Sequence, residues 1–349
     1  MRTLILLMSV IATISLFGIH IYNVGEAPWN FEIYNAGDKT YALILDRGRS
    51  SLVILDLNTG EKKVIELPSF PTDIYVEDNE ALITCIEKGA LVKVNLSDFE
   101  IDESKLLGAQ IFRFLRTWPV ENGYAVLSYD GKVLVITKNL EVSKIFYISS
   151  HSLDAALWRN FLVSLKSENY DPIWHKLMEE KAVVFSDLST GKTFREYAGK
   201  IPAYILTLEK ELLVISYWDG QITAFDEDMD TKRMVLNARV NSPVIVGNTV
   251  YLLSFDTSEL LAVDPETLKV VRRLKLKGRG PVRLKVFDNW LVVLNVLDDS
   301  VDVVDLTSFK NRFHFHTGRY PVDVEKISEN KLAVLCEEAG QLWLHEIER

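Results

Sequence analysis

The chain has 349 residues, 48% of them apolar and 25% charged, with a formal net charge of −10. That balance excludes a disordered chain, and the acid excess excludes a general basic surface for nucleic acid. Only two cysteines occur, Cys85 and Cys336, which excludes a disulfide framework and suits two small buried side chains.

At the start of the chain, Arg2 precedes an apolar run from Leu4 to Phe17 broken only by small hydroxyl residues. This reads as a secretory signal peptide, or an uncleaved N-terminal anchor, over residues 1–15. The expected location is therefore extracytoplasmic, periplasmic or secreted. No cysteine stands near residues 15–20, which closes the lipoprotein route. Residues 16–349 are read as one domain.

That domain is repetitive. Apolar runs of strand length alternate with polar turns, four runs to a unit, and a proline opens most units: Pro28, Pro71, Pro202, Pro243, Pro281 and Pro321. Ile111 and Ser152 stand in the other two. The second strands keep step, from Tyr41–Leu45 in unit one to Leu332–Cys336 in unit eight. Continuous apolar runs suit strands packed on both faces. Eight four-stranded units at a period of about 40 residues predict an all-β, eight-bladed β-propeller.

The last unit lacks its fourth strand before the chain ends. The segment Gly18-Ile19-His20-Ile21-Tyr22-Asn23-Val24-Gly25 supplies the missing length and is similar to the fourth strand of unit seven, Arg312–Gly318. The N-terminal strand is therefore expected to complete the last blade, leaving no sheet edge exposed.

The turns between third and fourth strands read Asp56-Leu57-Asn58-Thr59-Gly60, Asp187-Leu188-Ser189-Thr190-Gly191, Asp264-Pro265-Glu266-Thr267-Leu268 and Asp305-Leu306-Thr307-Ser308-Phe309. An Asp side chain can close such a turn, and Gly accepts its left-handed position. On these turns the units resemble the bacterial YVTN/PQQ-like β-propeller repeats, a superfamily related to WD40-like propellers. The resemblance implies the fold and little about function. The quinoprotein branch carries a Trp four residues after the Gly; here Val64 and Arg195 stand there, and no vicinal cysteine pair exists. The closer architectural analogue is the exported, non-catalytic propeller scaffold of outer-membrane assembly.

Two features are expected on or near one rim of the ring. Unit four carries an insertion, 166–181, with Tyr170, Trp174 and His175, and Pro172 followed by Ile173, Leu177 and Met178 suggests a short helix. Trp218, in the turn Tyr217-Trp218-Asp219-Gly220, shares that rim. The second feature is the ring of residues two after each opening residue: Asn30, Asp73, Arg113, Asp154, Tyr204, Ile245, Arg283 and Asp323. These are expected to face water in the central channel, with the two arginines balancing the carboxylates. Asp226–Asp230 begins like a calcium loop, but Thr231 replaces the required Gly.

No GxSxG, HExxH or CxxC motif occurs. The expected function is a non-enzymatic, monomeric scaffold that binds a protein or polymer partner of the cell envelope through one rim, without a cofactor. The alternative is a hydrolase or lyase working in a polar channel with a bound divalent cation.

Overall fold

The computed structural model describes residues 19–116, 118, 120–148, 152–166 and 183–347, with the backbone of 170–171 and 176–177. Its strands form eight four-stranded antiparallel sheets, and the order within each is first to fourth strand. The first strands of neighbouring blades touch one another around the centre. The fourth strands lie at the circumference and are largely exposed, as in Glu100–Leu106 and Val142–Tyr147. The chain is an eight-bladed β-propeller.

The continuous apolar runs have a direct explanation. In Lys39–Asp46, Leu43 and Leu45 pack toward blade two, while Ala42 and Ile44 pack toward blade eight. A strand with period-2 side chains thus buries both faces. Among the described residues there are eight buried apolar clusters, one at each blade-to-blade interface. The core is therefore a ring of interfaces. Cys85 and Cys336 are buried and free within it, and burial pushes both thiols up to about 12.

Blade eight closes as expected. Ile19–Asn23 pairs antiparallel with Gln341–Glu346, with Ile21 opposite Trp343 and Tyr22 opposite Leu342. The Val24 N–H donates to the Gly340 carbonyl at 2.8 Å. Gly340 has φ +64°, and a Cβ there would stand 2.3 Å from the Gly25 carbonyl oxygen, so this seam requires glycine.

One repeat boundary differs from the sequence reading. Pro243 does not open blade six. Val240 pairs with Ser254, as Pro281 pairs with Asn295 and Pro202 with Ser216, so Val240 is the opening residue. Two residues on stands Ser242, and Ile245 is not part of the ring. The proline falls three residues inside the strand, where a β-bulge between Asn241 and Val244 accommodates it.

The insertion also differs. Lys166 is the last residue of its strand and Val183 begins the next. Between them Tyr170–Asp171 pairs antiparallel with Lys176–Leu177, so the described backbone forms a small β-ladder where a helix was expected. Asp171 precedes Pro172, and a residue before proline favours the extended region.

Candidate functional site

The antiparallel order puts the turns between second and third strands on one rim with the segments that lead into each first strand. This entry rim is regular. In seven blades the first amide after the second strand donates to the residue just before the opening position: Arg47 to Ala27, Ile86 to Phe70, Tyr129 to Gln110, Tyr217 to Ile201, Phe255 to Arg239, Val296 to Gly280 and Glu337 to Tyr320, all within 3.0 Å. Acidic side chains add to the stitching. The Asp219 carboxylate accepts from the Lys200 N–H at 3.1 Å, and Asp256 accepts from Arg239 at 2.8 Å. Loops fixed this way present side chains from a rigid frame.

Several of those side chains are apolar and exposed. Trp29, Tyr129, Trp218, Leu297 and Tyr320 all stand on the entry rim, with Trp218 45% and Leu297 60% exposed. The Arg47 guanidinium lies 3.5 Å from the centre of the Trp29 ring and 5.0 Å from that of Phe70. Burial pulls Arg47 down to about 10, which leaves it charged at neutral pH. The insertion enters and leaves blade four at this rim. Trp174 and His175 lie outside the described residues, and Tyr170 is described only in its backbone.

Below this rim, every inner strand shifts register near its start: at its second position in six blades, as between Pro71 and Asp73 or Pro281 and Arg283, between Ser152 and Ala155 in blade four, and between Asn241 and Val244 in blade six. The bulge re-aims the next side chain toward the neighbouring blade. The ring residues consequently pair from odd to even blades. Asn30 donates to Asp73 at 3.1 Å, Arg113 to Asp154 at 3.3 Å and Arg283 to Asp323 at 3.1 Å. Tyr204 and Ser242 hold the corresponding places in blades five and six, where burial pushes the Tyr204 hydroxyl up. Three of the even-blade residues, Asp73, Asp154 and Ser242, also reach forward to the next blade. The Phe114 N–H donates to Asp73 at 2.9 Å, that of Ile205 to Asp154 at 3.0 Å and that of Leu284 to Ser242 at 2.9 Å.

The expectation of a water-facing ring therefore fails for its carboxylates. Asp73, Asp154 and Asp323 are buried between blades, Asp323 completely. They accept amide and guanidinium protons that would otherwise be orphaned there, which is why buried charge is tolerated. The arginines keep one flank in the channel, about two-fifths exposed at Arg113 and Arg283. Burial would raise Asp323, but Arg283 and Lys285 hold it below the ordinary carboxylate range. At Asp154 burial prevails over Arg113, and the carboxyl is pushed up.

Four channel groups escaped the sequence reading. Glu32, Lys285 and Glu325 follow the ring by two residues, so the strand period would have found them. Lys285 lies 2.8 Å from Asp323 and also bonds Glu325. Burial, reinforced by Glu325 and opposed by Arg116, raises Glu32 to about 7. Arg116 comes from an irregular loop and had no periodic signal. Its Nη2 lies 3.2 Å from Asp73, 3.4 Å from Glu32 and 2.7 Å from the Ile74 carbonyl.

Among the described residues no group of three His, Cys, Asp or Glu is placed to hold a metal ion. Asp226 spends its carboxylate on the amides of Asp228 and Asp230, closing its own turn. Asp56, Asp187 and Asp264 likewise close the turns that carried the family resemblance, each accepting two amides. No described helix is long and apolar enough to cross a membrane.

Comparison with solved structures places the chain among propellers. It is similar to Sqt1 of Saccharomyces cerevisiae, with a TM-score of 0.70 at 10% identity over 94% of this chain and 98% of that one. It is similar to the dihydro-heme d1 dehydrogenase NirN in complex with DHE, with a TM-score of 0.62 at 12% identity over 83% of this chain and 66% of that one. It is also similar to BamB of Moraxella catarrhalis, with a TM-score of 0.53 at 13% identity over 88% and 80%. The fold is of the WD40/PQQ-like propeller kind. No family model matches the sequence, and no curated protein matches it.

Proposed function

We propose that this protein is an exported, non-enzymatic scaffold that binds a protein or polymer partner of the cell envelope through its entry rim. The observation that carries the reading is the set of exposed apolar side chains on that rim, Trp29, Tyr129, Trp218, Leu297 and Tyr320, held on loops stitched by backbone hydrogen bonds. Rigid aromatic side chains lose little entropy on binding and supply most of the contact energy where interfaces are tight. The reading also assigns partner contact to the insertion of blade four, with Tyr170, Trp174 and His175, since its strand ends Lys166 and Val183 lie at this rim. The likeness of the fold to BamB and Sqt1 supports a scaffold in general terms. The channel residues serve this reading as the clasp that keeps the ring rigid, and no cofactor is required.

The test is recovery of crosslinked partners from native envelopes with three proteins: the parent, Trp218→Ala/Leu297→Ser, and a deletion of residues 168–179. Loss of the same partner from either variant, at an unchanged melting temperature, supports the reading. Equal recovery with all three overturns it.

A further inference from the structure

A second candidate site lies on the opposite rim, between blades two and three. The first strand of blade three is short, Ile111–Phe114, against Pro71–Glu77 in blade two. After Phe114 the chain leaves the strand line. The Leu115 N–H donates to the Ala125 carbonyl at 2.8 Å, and Leu115 and Trp118 pack with Ala155 and Leu162 of blade four. Leu115 and Trp118 thus fill the blade-four side and leave the blade-two side open. What remains is a cleft of about 280 Å³ lined by Tyr75, Phe114, Tyr124, Glu77, Arg116 and Lys138, among others.

The lining is built and electrically balanced. Tyr75, Phe114 and Tyr124 form a mutual aromatic cluster, with ring centres 5.6 to 6.4 Å apart. Oε2 of Glu77 accepts from the Tyr124 hydroxyl at 3.1 Å and lies 3.3 Å from Lys138. On the other flank Arg116 sits 5.5 Å above the Tyr75 ring, anchored through Nη2 to Asp73, Glu32 and the Ile74 carbonyl. Among the described residues no hydrogen bond or ion pair engages Oε1 of Glu77, or Nε and Nη1 of Arg116. The cleft therefore offers a carboxylate acceptor on one side and guanidinium donors on the other, around an aromatic floor. Every charge already has its counter-charge, so an ionic ligand would have to break a standing pair.

We infer that this cleft is a binding site for a neutral saccharide unit. A pyranose has an apolar C–H face for the Tyr75 floor. Its hydroxyls both donate and accept, which matches Glu77 on one edge and Arg116 on the other. Charged side chains locked by other contacts make stronger hydrogen bonds to hydroxyls than neutral ones do. The volume suits one small unit of a ligand and no long segment.

The probes are the methyl glycosides of glucose, galactose, mannose and N-acetylglucosamine, with citrate as the anionic control, titrated by ligand-observed NMR. At least one glycoside is expected to saturate with a Kd on the order of 1 mM. Glu77→Gln keeps the shape but weakens a charge-assisted bond, and is expected to weaken binding about tenfold; Tyr75→Leu removes the floor and should abolish it. Glu77→Gln alone decides the matter if Tyr75→Leu does not fold. Failure of all four glycosides to saturate, saturation by citrate alone, or equal binding by parent and Glu77→Gln overturns the assignment. None of these outcomes depends on the entry rim.

Discussion

Arg116 of blade three stands 3.4 Å from Glu32 of blade one, bridging past the blade between them. On the way it takes hold of Asp73 in blade two at 3.2 Å. One side chain therefore ties three consecutive blades, from a loop that belongs to none of their sheets. The channel is a mechanical joint, and its charges are to be judged first by what they hold together.

The raised Glu32 makes that joint sensitive to pH. A carboxyl held at about 7 against an ordinary 4.5 binds its proton more tightly in the folded chain. Stability from this group is present below the lower value and lost as pH rises through about 7. Glu32→Gln should match the parent at pH 4. At pH 8 it should be more stable, by on the order of 2 kcal/mol. Urea unfolding at the two pH values measures this, and equal curves at pH 8 would refute it.

Burial separates the ion pairs that matter from those that do not. Asp323 is wholly buried and serves both Arg283 and Lys285. Asp323→Ala should cost about 3 kcal/mol, since it takes the carboxylate from Arg283 and leaves Lys285 with Glu325 alone. Arg319 and Glu338 also pair, but both are well exposed, and Arg319→Ala should cost less than about 1 kcal/mol. Comparable losses in the two variants, read from denaturant midpoints, would contradict the buried-clasp account.

The reassigned position in blade six has its own test. The Ser242 hydroxyl accepts the Leu284 N–H at 2.9 Å, so Ser242→Ala should cost about 1–2 kcal/mol by orphaning that amide. Ile245 is more than a third exposed, and Ile245→Ala should stay within about 0.5 kcal/mol. The reverse ranking would restore Pro243 as the start of the blade.

Removing 19–23 should leave the strand Gln341–Glu346 as a bare edge. The shortened protein is expected to melt earlier and to associate through that edge on size-exclusion chromatography. A synthetic peptide of residues 18–24 should restore the monomer by strand addition. A monomeric truncated protein with the parent's melting temperature would show that the pairing contributes little.

The eight blades were legible because apolar runs, turn residues and a period of about 40 residues all pointed the same way. The N-terminal closure followed from counting strands in the last unit. Pro243 misled because proline marks a backbone that tolerates it, which a bulge does as well as a strand start. The burial of Asp73 and Asp154 was hidden because they accept backbone amides of the next blade, and amides carry no sequence signature. Arg116 was invisible for a related reason. Its position depends on how the chain leaves the sheet after Phe114, and no periodic rule governs that departure.

The pairing of Asn23 with Gln341 joins residues 318 positions apart. A chain synthesised from its N-terminus makes the first of these strands some 318 residues before its complement. Until then Ile19–Asn23 lacks the strand it pairs with and touches only blade one, through Tyr22 and Asn23. Closure of the ring must wait until Gln341–Glu346 has been translated. That delay favours slow, late maturation and gives a cell reason to shield the waiting strand from other edges in the meantime.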